Sequence, residues 1–175
     1  VSDVDRAAPR GTGSYKVGAN YAGGLLATKL AQEVGANEAL YLDSKEARYI
    51  DEAGSANILI CTKDGVLLTP KSDAILPSIT RRSIMTLAQE QLGMSTQERP
   101  IDLRAEFSTF QEAAACGTAA VLAPICKIWF DGQWHEVGDA GSNVGPAMQQ
   151  VYDLLMGIQR GEIEDMHGWC HEVSI

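Results

Sequence analysis

The chain has 175 residues, 45% of them hydrophobic and 21% charged, which is typical of a globular domain with a full core and excludes a disordered chain. It has 14 Lys and Arg against 23 Asp and Glu, so the net charge of −9 argues against nucleic acid or an anionic membrane as a partner. No apolar run approaches the roughly 18 residues of a membrane-spanning helix.

The N-terminal residues 1–12 are predicted to be an interdomain linker, and residues 13–175 one domain. The linker has no initiator methionine and no apolar signal-peptide core, so we expect the chain to be the C-terminal part of a longer protein. Four cysteines without CxxC spacing predict buried free thiols in a reducing compartment, and we expect a cytoplasmic protein; they are Cys61, Cys116, Cys126 and Cys170.

The N-terminal half of the chain predicts one helix followed by three strands. The helix starts at Asn20, a residue type favoured at the N-cap, and ends at Gly35. Its apolar residues recur at helical spacing, namely Ala22, Leu25, Leu26, Leu30 and Val34. The three strands follow at residues 38–42, 58–62 and 66–69. The last two flank Asp64-Gly65, a dipeptide that favours a β-hairpin.

The C-terminal half predicts two further helices and five strands. One helix is capped by Thr80 and ends at Gly93, and the other starts at Pro146, which suits the first helical position, and ends at Gly161. The five strands are predicted at residues 96–100, 111–115, 119–125, 128–130 and 133–137. The first is predicted to lie at a sheet edge, and the last two flank the hairpin signal Asp131-Gly132. This mixture of elements predicts an α+β (mixed α/β) domain.

A single lysine, Lys16, lies between Gly13 and Gly18 in the sequence GSYKVGANY, just before the first predicted helix. Glycine lets the backbone approach a ligand closely or adopt a positive φ angle. One interpretation is a solvated loop lysine. The other is a nucleophilic or Schiff-base lysine that partial burial activates.

Three more features accompany Lys16. Glu52, in the loop EAGSAN before a strand, is either a solvated carboxylate or an acid that takes part in a site. The junction Ile79-Thr80 is a helix N-terminus, whose unpaired amides and hydroxyl suit a phosphate, although every helix has such an end. The turn Cys116-Gly117-Thr118-Ala119-Ala120 is either a tight turn in a crowded core or a second source of amides and a hydroxyl for an anion.

Together these features meet the demands of pyridoxal phosphate. The cofactor needs a lysine that forms an imine, a carboxylate beside a protonated ring nitrogen, and a site for its phosphate. Lys16, Glu52 and the Ile79-Thr80 junction supply these groups. The phenol of Tyr21 is the candidate partner of the ring oxygen.

Four motifs in this order resemble class IV pyridoxal-phosphate aminotransferases. They are K-x-G-x-N-Y, E-x-G-[ST]-x-N, L-P-x-[IV]-T-R and G-T-A-A, and they begin at residues 16, 52, 76 and 117. The later segments GIQRG (157–161) and HGW (167–169) resemble the branched-chain amino-acid aminotransferases within that family. The resemblance covers essentially the whole chain and implies the family's large C-terminal cofactor domain, a mixed sheet or pseudo-barrel with flanking helices.

The resemblance implies a role for each matching residue. Lys16 is the catalytic lysine, which binds the cofactor as an imine and later moves the substrate proton. Glu52 pairs with the ring nitrogen and Tyr21 with the ring oxygen. Leu76 contacts one face of the cofactor ring. The residues that bind the cofactor phosphate are Ile79, Thr80 and Thr118. The substrate carboxylate is received by Ala119 and Ala120, with Ser55 nearby.

Two departures from the family pattern bear on the site. Ala19 replaces a common glycine, and Ser78 replaces the glycine of L-P-G, where serine is strained if the position needs a positive φ angle. The spacing of Cys116 and Cys126 predicts no redox CxxC pair. The resemblance also implies a homodimer and a small N-terminal domain that completes the site; that domain is absent from this chain, so we expect the chain alone to be weakly active or inactive.

The function implied is transfer of an amino group from leucine, isoleucine or valine to 2-oxoglutarate, as in branched-chain amino-acid biosynthesis. The alternative within the family is a D-amino-acid or amine transaminase or an enzyme like aminodeoxychorismate lyase. In either case the partners are small amino acids and 2-oxo acids. A non-enzymatic alternative is a metal-binding or interaction module, in which the candidate zinc ligands are His135, His167, Cys170 and His171; our prediction is that no metal is bound.

Overall fold

The computed structural model describes residues 1–8, 10–138 and 144–173. Within these ranges the chain forms five α-helices, a 3-10 turn and nine strands. In chain order they are α1 (Ala19–Ala22), α2 (Gly24–Glu33), β1 (Leu40–Leu42), β2 (Ile50–Ala53), β3 (Ala56–Thr62), β4 (Val66–Pro70), α3 (Ile79–Glu90), β5 (Ser95–Arg99), α4 (Leu103–Glu106), the 3-10 turn (Phe107–Thr109), β6 (Phe110–Gly117), β7 (Val121–Pro124), β8 (Lys127–Phe130), β9 (Gln133–Glu136) and α5 (Pro146–Gln159).

Seven strands form one mixed sheet, and β8 and β9 form a separate hairpin. The central strand is β3, which pairs antiparallel with β6 along its length, with β2 at its start and with β4 towards its end. β5 joins β4 in parallel and β7 joins β6 in an antiparallel pair. Within the described residues the sheet is open, because β1, β5 and β7 each lie at an edge, so the strands do not close into the barrel-like form that the sequence suggested.

Two hydrophobic cores cover the two sides of β3, whose successive side chains point to opposite faces. One core contains Ile58 and Ile60 and extends to the β8–β9 hairpin. The other contains Leu59 and Cys61 and extends to α3 and α5. This arrangement confirms the predicted α+β class, with helices α3 and α5 packed on one side of a mixed sheet.

The first predicted helix differs most from expectation. It is interrupted into α1 and α2, and Asn20 lies inside α1 rather than at its N-cap. The apolar stripe that predicted this helix is exposed, at 75% for Leu25, 53% for Leu26 and 42% for Leu30. Instead, α2 packs on the domain through the small side chain of Ala27, which is buried against Ala39 and Tyr41.

Two other predictions needed correction, and one short helix was missed. Glu52 lies within strand β2 and not in a loop, because the turn of that hairpin is only Gly54-Ser55. The cap of α3 is Ser78 and not Thr80, since the Ser78 side chain accepts the amide of Arg81. The short helix α4 was not predicted; its N-cap is Asp102, whose carboxylate accepts the amide of Ala105.

Both predicted hairpins and the helix at Pro146 are confirmed. The predicted linker, residues 1–12, contacts the domain: the Ser2 amide donates to the Leu40 carbonyl at 2.8 Å. Its assignment as a linker stays a prediction. Of the helices in the described ranges, none is long and apolar enough to span a bilayer.

Candidate active site

Lys16 and Tyr21 meet across the start of α1. The Lys16 Nζ donates a hydrogen bond to the Tyr21 hydroxyl at 3.0 Å. Asn20, which is buried, shapes the preceding loop: its Nδ2 donates to the carbonyl oxygens of Thr12 at 2.7 Å and Tyr15 at 2.8 Å. The asparagine of the K-x-G-x-N-Y motif therefore fixes the loop that carries the lysine, and its side chain does not cap the helix.

Of the two surroundings considered for Lys16, a solvated loop and a partly buried one, the structure shows the solvated loop. Lys16 is exposed, as are its neighbours Tyr15, at 65%, and Val17, at 37%. None of the described elements covers this side of the loop. The lysine is thus accessible to a ligand of ordinary size.

Glu52 is the buried acid of the site, with only 2% of its side chain exposed. Its Oε1 accepts hydrogen bonds from the Leu76 amide and from the Asn57 Nδ2, each at 2.8 Å. Burial raises the pKa of Glu52 to about 7, although the Arg6 charge and the Leu76 amide oppose that rise. The carboxylate is therefore close to its protonation midpoint at neutral pH.

Arg6 is a site residue that the sequence reasoning missed. Its Nη2 lies 2.6 Å from the Glu52 Oε2, and only 6% of the arginine side chain is exposed. The same side chain donates to the carbonyl oxygens of Ala74 at 2.8 Å and Gly13 at 3.4 Å. The sequence signal was weak, because Arg6 is one of two arginines, with Arg10, in a segment that was interpreted as a linker.

A row of side chains runs across three strands beside Glu52. Glu52 on β2 is directly opposite Asn57 on β3, which is opposite Cys116 on β6. Directly opposed residues of antiparallel strands share one face of a sheet. Burial raises the pKa of the Cys116 thiol to about 12, so this cysteine is an inert neighbour of the acid.

The turn after this row carries three predicted contact residues. Thr118, Ala119 and Ala120 connect β6 to β7 and are exposed. Val121 follows with a φ of 57°, a left-handed conformation that is uncommon for a β-branched residue. Ser55 is exposed in the turn between β2 and β3.

The N-terminus of α3 has two amides that the helix itself does not use. The first-turn amides of any helix lack intrahelical acceptors, and here Ser78 satisfies only that of Arg81. The amides of Ile79 and Thr80 remain for an anion, and Ile79 is 67% exposed. Ser78 has a φ of −64°, so the serine that replaces the motif's glycine is unstrained.

Close backbone packing holds the lysine loop against the loop that leads to α3. A Cβ atom on Gly13 would overlap the carbonyl oxygen of Ala74. Arg6 bonds to both of these residues, as described above. Thus the segments of Lys16, Glu52 and Leu76 are joined, whereas the roles predicted for individual residues stay predictions.

The tail offers little support for a metal site. His167 stacks on Trp169 with ring centroids 4.3 Å apart, and its Nε2 lies 3.5 Å from a Glu90 oxygen. Within residues 1–8, 10–138 and 144–173, no three His, Cys, Asp or Glu side chains are grouped as metal ligands would be.

Comparisons with known proteins give a consistent result. The family model for amino-transferase class IV matches residues 1–128. A branched-chain-amino-acid aminotransferase of Haemophilus influenzae is 47% identical over 99% of this chain and 52% of its own length. The crystal structure of the Escherichia coli branched-chain amino acid aminotransferase superposes with a TM-score of 0.83 and 34% identity, over 97% of this chain and 53% of that one.

A further similar structure is the branched-chain amino acid aminotransferase of Thermobaculum terrenum in its PLP-form. Its TM-score is 0.81 and its identity 33%, over 93% of this chain and 50% of that chain. The chain thus spans about half the length of the relatives it matches.

Proposed function

This chain belongs to the class IV aminotransferase family, and we propose that it forms the cofactor-binding part of a branched-chain amino-acid aminotransferase that uses pyridoxal phosphate. The observation that carries the proposal is the pairing of Lys16 with Tyr21 on a loop that Arg6 connects to a buried acid, Glu52. The names of those relatives support branched-chain amino acids as the substrates.

The residues present fit this cofactor. Among the described residues, two buried polar atoms near Glu52 lack a partner, the Asn57 Oδ1 and the Arg81 Nε. Buried polar groups are rarely left unpaired unless a ligand or water completes them. The amides of Ile79 and Thr80 suit the phosphate, and the exposed Thr118 hydroxyl is a further donor.

Bound pyridoxal phosphate supplies an electron sink for the carbon that carries the amino group. Lys16 would hold the cofactor through Nζ and would move the proton of the substrate Cα at that nitrogen. Tyr21 orients the lysine and donates to the ring oxygen. Glu52 would accept a hydrogen bond from the protonated ring nitrogen, and Leu76 would hold one face of the ring.

The substrate side of the site is proposed from the two exposed turns. The amides of Ala119 and Ala120 receive the α-carboxylate, and Ser55, on the turn between β2 and β3, is a further contact of the substrate. The amino donors are leucine, isoleucine and valine, and the acceptor is 2-oxoglutarate. A homodimer and a small N-terminal domain complete the intact cytoplasmic enzyme.

The experiment measures amino transfer by the protein in its full natural length, loaded with pyridoxal phosphate. We expect transfer from all three branched-chain amino acids to 2-oxoglutarate, and borohydride reduction should label Lys16. Lys16→Ala should abolish both, whereas Lys29→Ala, which changes an exposed lysine on α2, should preserve them. Labelling elsewhere would contradict the role of Lys16, and a preference for D-amino acids or amines would favour the alternative within the family.

A further inference from the structure

Arg6 emerges from the structure as more than a structural cation. We propose that Arg6 is a positioning residue for the cofactor, which holds Glu52 ionised and oriented so that the proton lies on the ring nitrogen of bound pyridoxal phosphate. This inference rests on the proposed function. It assigns a role to a residue that lies outside the four motifs.

In the part of the chain that the structure describes, each hydrogen bond or ion pair of the Glu52 carboxylate comes from a donor. Leu76 and Asn57 donate to Oε1, and Arg6 occupies Oε2 at 2.6 Å. An ionised carboxylate is only an acceptor, whereas a protonated one needs an acceptor for its own hydrogen. The site is therefore arranged for the ionised form, and a neutral Glu52 would place its hydrogen against donors.

The arginine is fixed in place by two further bonds. Its Nη1 donates to the Ala74 carbonyl at 2.8 Å and, at 3.4 Å, to that of Gly13. Gly13 belongs to the lysine loop, and Ala74 to the loop that leads to Leu76. Arg6 thus links the acid to the two segments expected to contact the cofactor, and a planar guanidinium suits this multiple contact better than lysine does.

The other charges around Glu52 leave Arg6 as the decisive one. Asp51 raises the pKa of Glu52 and Arg81 lowers it, while Cys116 across the sheet is a thiol with a pKa near 12 and stays neutral. Burial dominates and brings the pKa of Glu52 to about 7. Arg6 is the strongest effect that opposes burial, so its loss would leave Glu52 protonated at neutral pH.

The proton balance then follows. One proton is shared between the carboxyl group of Glu52 and the ring nitrogen beside it. With Arg6 present, the ionised carboxylate accepts a hydrogen bond from the protonated nitrogen. Without Arg6, the carboxyl group keeps the proton and donates to a neutral nitrogen, which is a weaker electron sink.

The test uses pyridoxal phosphate labelled with ¹⁵N at the ring, bound to the protein in its full natural length. The ring ¹⁵N chemical shift separates the protonated from the neutral nitrogen and is recorded from pH 6 to 9. We expect a protonated ring in the wild type and a neutral ring in Arg6→Gln at pH 7, with a dissociation constant for the cofactor raised about tenfold because a charge-assisted contact is lost. Arg10→Gln changes an exposed arginine in the same segment and should match the wild type.

Arg6→Lys keeps a positive charge without the planar contacts, so we expect ring deprotonation at a lower pH than in the wild type. This variant decides the question if Arg6→Gln does not fold. A ring nitrogen that is as protonated in Arg6→Gln as in the wild type at pH 7 would overturn the proposal. So would a ring nitrogen that loses its proton at the same pH in Arg6→Lys as in the wild type. A wild type that binds no cofactor at Lys16 would instead overturn the proposed function, and with it this inference.

A second readout needs no cofactor. In the cofactor-free protein with ¹³C-labelled glutamate, the carboxyl signal of Glu52, assigned through Glu52→Gln, should titrate at a higher pH in Arg6→Gln than in the wild type. An unchanged midpoint would show that Arg6 is only a structural tether. This result would count against Arg6 alone and leave the proposed function intact.

Discussion

The Nζ of Lys16 lies 3.0 Å from the hydroxyl oxygen of Tyr21 and 5.4 Å from the centroid of the tyrosine ring. The short helix α1 brings the two side chains together, since it turns the chain between them. The lysine therefore has a partner before any ligand binds. This arrangement orients an otherwise exposed amine.

Tyr21→Phe tests that pairing. It removes one hydrogen bond but keeps the aromatic ring beneath the Lys16 ammonium. We therefore expect the dissociation constant of pyridoxal phosphate to rise about fivefold, while the free energy of unfolding stays the same. Cofactor fluorescence or absorbance titration measures it. Tyr15→Phe, in the same loop and 65% exposed, serves as the control and should bind like the wild type. Equal affinity of all three proteins would contradict the role of the Tyr21 hydroxyl.

Gly13→Ala tests the close approach of the two loops. The added Cβ would overlap the Ala74 carbonyl oxygen, so the loops must separate, and we expect a loss of about 2 kcal/mol in unfolding free energy. Gly18→Ala is the matched control, because a Cβ there has no heavy atom within 4 Å. Urea denaturation compares the two. A Gly13→Ala protein as stable as Gly18→Ala would show that the contact adapts without cost.

Glu52 should make the stability of the cofactor-free protein depend on pH. Burial raises its pKa from 4.5 to about 7, so between these values the folded state holds a proton that the unfolded state has released. Stability from this group is therefore full below about pH 4.5 and declines towards pH 7, by on the order of 3 kcal/mol. Glu52→Gln should flatten the curve of unfolding free energy against pH, whereas Glu136→Gln, at an exposed position, should not. A wild-type curve that rises over this interval would refute the assignment.

Ser78 offers a test of the helix cap next to the predicted phosphate amides. Ser78→Ala removes the acceptor of the Arg81 amide and should cost about 1 kcal/mol in stability. Ser78→Gly restores the residue that is usual in the motif. It should cost only about a few tenths of a kcal/mol in stability, because water reaches the amide more easily. Thermal unfolding of both variants gives the comparison. A Ser78→Ala protein as stable as the wild type would show that the serine side chain does not act as a cap.

Much of the fold was predictable where the signal is local. Turn residues such as Asp64-Gly65 and Asp131-Gly132 favour hairpins through their own backbone preferences, and Pro146 suits a first helical turn. The helical spacing before Gly35 predicted a helix there correctly. It failed to predict the buried face, because apolar spacing alone does not say which neighbour is present to cover Leu25 or Ala27.

The sequence by itself determined the family and its motifs, because the order of K-x-G-x-N-Y, E-x-G-[ST]-x-N, L-P-x-[IV]-T-R and G-T-A-A is a property of the chain alone. Only the tertiary structure decided that Glu52 lies on a strand, that Arg6 reaches it, and that Gly13 packs on Ala74. These contacts join residues far apart in the chain. The packing of the sheet and loops sets such distances, and no local preference of the residues involved encodes them.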